Sequence, residues 1–121
     1  MSKVIFTTIL VDDMAKAVEF YVNHLGFEVT KNDHYPHFVL LKHEHYPIAL
    51  HQVEKPLQVD YPNQTQVVPG IATDNLADSL RTLGEQGVAL IHTTPQKFFG
   101  GYFAALRDPA GNVLELIEWH Q

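Results

Sequence analysis

Between Val4 and Val11 the chain alternates β-branched and aromatic residues, with no polar side chain larger than threonine. Such a run predicts a strand that is apolar on both faces and covered on both. Asp12 and Asp13 stop it and offer a helix N-cap, because a short carboxylate accepts from the free N–H groups of a first helical turn. Met14, Ala17, Val18, Tyr21 and Leu25 then form one apolar stripe at helical spacing, while Lys16, Glu19 and Asn23 fall off it. Gly26 stands where a left-handed residue closes a helix. A short strand follows from Phe27 to Thr30. Two further strands, Phe38 to Lys42 and Ile48 to Val53, are joined through His43-Glu44-His45-Tyr46-Pro47, which reads as a hairpin turn. Residues 54–65 carry Pro56, Asp60, Pro62, Asn63 and Gln64 without periodicity, and resemble a linker.

The opening pattern then returns. Val67 to Thr73 reads as a strand, and Asp74-Asn75 again supplies a strand stop and a helix cap. Leu76, Leu80 and Leu83 continue as a helical stripe, Gly87 closes it, and Val88 to His92 is a short strand. Setting Val11-Asp12-Asp13-Met14-Ala15 over Thr73-Asp74-Asn75-Leu76-Ala77 gives a fixed offset of 62, on which Val18 falls on Leu80. A repeat of that length predicts a duplicated unit. Each half reads β-α-β-β-β and is too short to bury a stable core alone, so the halves are expected to share a sheet or core. The final hairpin is the clearest local signal. Gly101 to Arg107 leads into Asp108-Pro109-Ala110-Gly111-Asn112, whose Pro and Gly suit a tight reversal, and Val113 to Trp119 leads out. In that last strand Val113, Glu115, Ile117 and Trp119 share one face. A carboxylate amid an apolar face is costly unless it is paired (Arg107 is near), metal-bound or reached by water.

Composition narrows the class. The chain has 121 residues, 45% hydrophobic and 18% charged, which suits one globular domain over 1–121. With 8 Lys and Arg against 14 Asp and Glu, the net charge of −6 argues against a nucleic-acid partner, which needs clustered cations. No cysteine is present, so disulfide frameworks, thiolate-zinc sites and cysteine nucleophiles are excluded. The first residues lack the apolar core and cleavage site of a signal peptide. No apolar run approaches the ~20 residues needed to span a bilayer. A soluble cytoplasmic protein with no membrane partner is expected.

Two segments carry a resemblance: Val11-Asp12-Asp13-Met14-Ala15-Lys16-Ala17-Val18-Glu19-Phe20-Tyr21 with Leu25-Gly26-Phe27, and Arg107-Asp108-Pro109-Ala110-Gly111-Asn112-Val113-Leu114-Glu115-Leu116. Asp74-Asn75-Leu76 is a weaker echo. On these motifs the chain resembles the vicinal-oxygen-chelate superfamily, which includes glyoxalase I, extradiol dioxygenases and the fosfomycin- and bleomycin-resistance proteins. The resemblance implies an α+β fold. Two βαβββ modules in tandem, about 1–55 and 66–121 with a linker over 56–65, would form a cupped mixed sheet with helices outside. It also implies a divalent metal ion in the cup, each module giving one ligand from its first strand, usually His, and one from its last, usually Glu. Open positions on the ion then bind two adjacent substrate oxygens. Alignment places Phe6, Val68, Ala49 and Glu115 at those four points. Phenylalanine, valine and alanine have no lone pair to give, so the familiar metal set is absent and no cofactor is expected.

Glu115 is the central candidate, as catalytic base, lone metal ligand or counter-charge for a bound molecule. His51 lies two residues beyond Ala49 and shares its side of the strand, which makes it a candidate to contact a ligand or to join Glu115 as an alternative metal pair, against the commoner case of a solvated or packed histidine near a strand end. His34-x-x-His37 and His43-x-His45 are weaker candidates among eight histidines, and His92 and His120 carry no motif and read as surface residues. Phe98, Phe99 and Tyr102, around Gly100-Gly101, could wall a cavity together with Phe6 and Trp119. A ring-lined cavity holding one acid suits a flat or cationic organic molecule. Three functions stay open. The first is a metal-independent small-molecule binder resembling the bleomycin-resistance branch, where a dimer sequesters a drug without chemistry. The second is a lyase or dioxygenase with a drifted ligand set using His51 and Glu115. The third is a metal-free acid/base enzyme using Glu115. The resemblance also implies a homodimer.

Overall fold

A computed structural model describes residues 2–56, 58–65 and 67–120. The chain divides into two compact units, Met1–Leu57 and Gln58–Gln121.

The first unit contains β1 (Thr7–Val11), α1 (Met14–Glu19), β2 (Glu28–His34), β3 (Phe38–His43) and β4 (Tyr46–Gln52), with α1 widening into a π-helical turn over Phe20–His24. Its sheet has the order β1-β4-β3-β2; β1 and β4 are parallel and the other pairs antiparallel. Asp13 caps α1 by accepting from the Lys16 N–H at 3.1 Å, and the Met14 N–H donates to Gln52 Oε1 at 2.9 Å. Gly26, at φ +78°, ends the helical segment as expected, since only glycine adopts that conformation cheaply. Strand alternation sends Ile9, Val11, Val39, Leu41, Ile48 and Leu50 into a core with Met14, Ala17 and Tyr21.

Four expectations change here. The first strand begins only at Thr7, so Val4 to Phe6 precede it. It is not covered on both faces, because Thr8 is exposed and Leu10 keeps 44% of its surface accessible. β2 runs to His34 although every residue in it is exposed, and two register shifts interrupt its pairing with β3. The β3–β4 hairpin is also tighter than read: His43 pairs with Tyr46, leaving Glu44 (φ 55°) and His45 as the turn.

The second unit contains β5 (Gly70–Ala72), α2 (Leu76–Glu85), β6 (Ala89–Leu90), β7 (Gln96–Phe98), β8 (Gly101–Arg107) and β9 (Val113–Trp119). The sheet order is β5-β9-β8-β6, with β7 also on β8 and β5 parallel to β9. Leu76, Leu80 and Leu83 bury the predicted stripe of α2, and Ala104, Leu106, Leu114 and Leu116 are buried on alternate positions of β8 and β9. Each such leucine contributes about 1.5–3 kcal/mol by leaving water. The expected single strand over Val88–His92 is instead two pieces along β8. β6 pairs at Leu106 and Arg107, and β7 pairs from Gly101 to Phe103. Between them His92 enters the ladder: its Nδ1 accepts the Ala105 N–H at 3.0 Å. The N–H groups of Ile91 and His92 both donate to the Ala105 carbonyl, at 2.9 and 3.1 Å.

The duplication extends to individual bonds. Asp13 and Asn75 cap their helices at nearly identical dihedrals, φ −138° and ψ 100° against φ −140° and ψ 97°. The Leu76 N–H donates to Glu118 Oε1 at 2.7 Å, as that of Met14 does to Gln52. Thr8 pairs with Ala49, and Gly70 with Glu115. Ala49 is therefore the first unit's counterpart of Glu115. No helix among the described residues is long and apolar enough to cross a membrane.

Candidate functional site

Because Leu114 and Leu116 turn toward the α2 core, Glu115, Ile117 and Trp119 project from the opposite face of β9. The five-residue loop Asp108–Asn112 sets Arg107 against Val113, and hence Ala105 against Glu115 and Phe103 against Ile117. Phe98, Phe103, Glu115 and Ile117 line a hollow of about 190 Å³. That is below the range of drug-sized pockets and suits one ring or a compact aliphatic group.

Glu115 is half-buried, and its Oε2 accepts a hydrogen bond from the Tyr61 hydroxyl at 2.5 Å. Burial first, then that hydrogen bond and the negative charge of Glu115, push the Tyr61 phenol up to about 12. Tyr61 therefore remains a neutral donor throughout the physiological range. Its ring meets His92 edge-on at 6.0 Å, His92 meets Phe103 at 5.5 Å, and Phe103 meets Phe98 at 5.9 Å. Trp119 extends the row, 5.7 Å from Phe98. Because Nδ1 of His92 accepts a main-chain N–H, the ring proton belongs on Nε2.

The residues read as a linker supply Tyr61. Gln58 donates its side-chain amide to the Ala110 carbonyl at 3.0 Å, and Arg107 donates to the carbonyls of Val59 (3.1 Å) and Gly111 (2.9 Å). Gly111 sits at φ +93°, and a Cβ there would displace the Gln58 carboxamide from its place over the hairpin. Residues 58–61 thus form a strap over the β8–β9 hairpin. Arg107 serves that strap, and among the described residues no cation forms an ion pair with Glu115.

Of the sequence candidates, Phe98 and Glu115 line the hollow, with Trp119 beside Phe98. Phe99 is 97% exposed and touches the ring row only through Phe98, at 5.2 Å. Tyr102 is corrected: strand parity places it opposite Glu118, on the other face of the sheet, with His120 5.7 Å away. Phe6 and His51 belong to the first unit. His51 is exposed and faces Leu10 and Phe38 across the sheet, and Phe6 packs edge-on against Phe38 at 6.1 Å. His34 and His37 flank a turn, and His43 packs on Phe27 at 5.0 Å. His92 is also corrected: it is half-buried, an integral part of the edge ladder. Tyr61, His92 and Phe103 were not among the expected site residues. Phe103 was recoverable by counting back across the final hairpin, whereas no local pattern pointed to the other two.

The donor chemistry does not fit the superfamily's metal centre. Of the four points that the sequence alignment assigns, Phe6, Val68 and Ala49 are hydrocarbon, and one oxygen of the fourth, Glu115, is engaged by Tyr61. Among the described residues no three His, Asp or Glu side chains gather as a metal-holding group.

A family model for the Glyoxalase/Bleomycin resistance protein/Dioxygenase superfamily matches residues 3–116, and the chain belongs to that superfamily. Comparison with the curated proteins finds no match. Solved structures show the same fold. The fosfomycin resistance protein FosX from Listeria monocytogenes matches with a TM-score of 0.80 at 14% identity, covering 99% of this chain and 93% of the other. TnmS3, an antibiotic binding protein from Streptomyces sp. CB03234, matches at 0.68 and 24% identity, covering 99% of both chains. Lactoylglutathione lyase from Agrobacterium tumefaciens matches at 0.69 and 21%, covering 98% and 94%.

Proposed function

We propose that this protein binds a small organic molecule at the Glu115 face without a metal ion, working in the cytoplasm as a homodimer. The observation that carries this reading is a carboxylate in a ring-lined hollow, partnered by a neutral phenol rather than a cation. An anion so placed is a ready counter-charge, and aromatic faces attract the same kind of ligand. TnmS3, described as an antibiotic binding protein, lends support by analogy of fold. The test combines metal analysis with ligand titration. Purified protein offered zinc, manganese and iron salts and then desalted is expected to retain no stoichiometric ion; a tightly held equivalent overturns the reading.

A second reading, metal-free acid/base catalysis, is favoured by the same short bond, which sets a proton acceptor beside a proton donor. Glu115→Gln separates the two. Under the binding reading it only weakens cationic ligands, and under the catalytic reading it abolishes turnover.

A further inference from the structure

Binding at the Glu115 face leaves open what kind of molecule the face prefers, and Tyr61 bears on that choice. A glutamate side chain in an apolar hollow has every reason to swing toward water, because a carboxylate left unpaired there is costly. Tyr61 opposes this. Its hydroxyl holds Oε2, its ring is set against His92, and its strap is tied to the hairpin at Val59 and Gln58. The donor is neutral, so it brings no opposing charge to the carboxylate, and among the described residues no other donor reaches it. The remaining oxygen is left as an acceptor on a residue that lines the hollow with Phe98, Phe103 and Ile117.

We propose that Tyr61 is the specificity-determining residue of this site: by holding Glu115 in the hollow, it makes the site select a compact aromatic cation that presents an N–H donor. This rests on the reading that the Glu115 face binds organic ligands. A carboxylate ligand would meet a like charge. A quaternary ammonium would satisfy the charge and the rings but offer no hydrogen to the free oxygen. The phenol, pushed up to about 12, keeps its proton and hence its hold wherever such ligands are cationic.

The test uses the single tryptophan, Trp119, beside the hollow, as a fluorescence reporter. Benzylammonium, benzamidinium, benzyltrimethylammonium, benzyl alcohol and benzoate are titrated into the wild type, Tyr61→Phe and Glu115→Gln. The wild type is expected to prefer benzylammonium and benzamidinium over benzyl alcohol by about tenfold or more, with benzyltrimethylammonium intermediate and benzoate weakest. Tyr61→Phe should cut that preference severalfold, and Glu115→Gln should erase it. The phenylalanine ring still packs on His92; should this variant unfold, Tyr61→Leu serves in the same assay. If Tyr61→Phe keeps the wild-type preference, or benzoate binds as well as the cations, the selectivity proposal falls while ligand binding stands. If no probe binds the wild type, the binding reading falls with it.

Discussion

Tyr61 holds its proton more tightly than a free tyrosine because partial burial and the adjacent Glu115 charge both disfavour a phenolate. The consequence for stability has a definite sign. A group raised from an ordinary value of 10.0 to about 12 on folding stabilises the fold fully below pH 10. That contribution is lost as the pH climbs through about 12, where the folded protein's phenol finally ionises. An alkaline titration of phenolate absorbance should therefore contain a late step near pH 12 that is missing in Tyr61→Phe. A late step that survives the substitution would show that another tyrosine is responsible. Glu115 was legible at this scale, since parity alone put it on an apolar face. Tyr61 and His92 were not, because each acts through a partner distant in sequence, at Glu115 and Ala105, and belongs to no periodic pattern.

The strap and the final hairpin act together as one element, with Arg107 between them. Its guanidinium donates to the carbonyls of Gly111 and Val59, bonds that a charged donor makes worth about 1.5–3 kcal/mol together with the burial around them. Arg107→Met keeps the stem and removes both. Urea unfolding is expected to show a loss of about 2 kcal/mol, and an unchanged midpoint would mean the strap stays in place without this tie. Elements with a strong pattern were readable: the α2 stripe closes on Leu76, Leu80 and Leu83, and the last hairpin falls where Pro109 and Gly111 put it. β2 was read too short because Thr30 to His34 carry no alternating apolar residues, and pairing with β3 alone makes them a strand. The edge beside β8 was misread because a histidine side chain replaces main chain in its ladder.

Across the whole molecule, the duplication preserved capping bonds and strand register in both units while allowing their chemistry to diverge. The same ladder position holds Ala49 in one unit and Glu115 in the other. Apolar side chains also remain open to solvent, among them Ile5, Leu10, Tyr46 and Trp119. On the homodimer proposal, sedimentation at micromolar concentration should find a dimer, and a purely monomeric boundary would contradict it. β2 bears on how copies can meet. Its register slips at two places, and Glu28, Lys31 and Asp33 stand along it. A neighbouring strand trying to zip onto such a crooked, charged margin would lose step within a few residues. Crowded copies of this protein therefore gain little from joining main chain to main chain along that border.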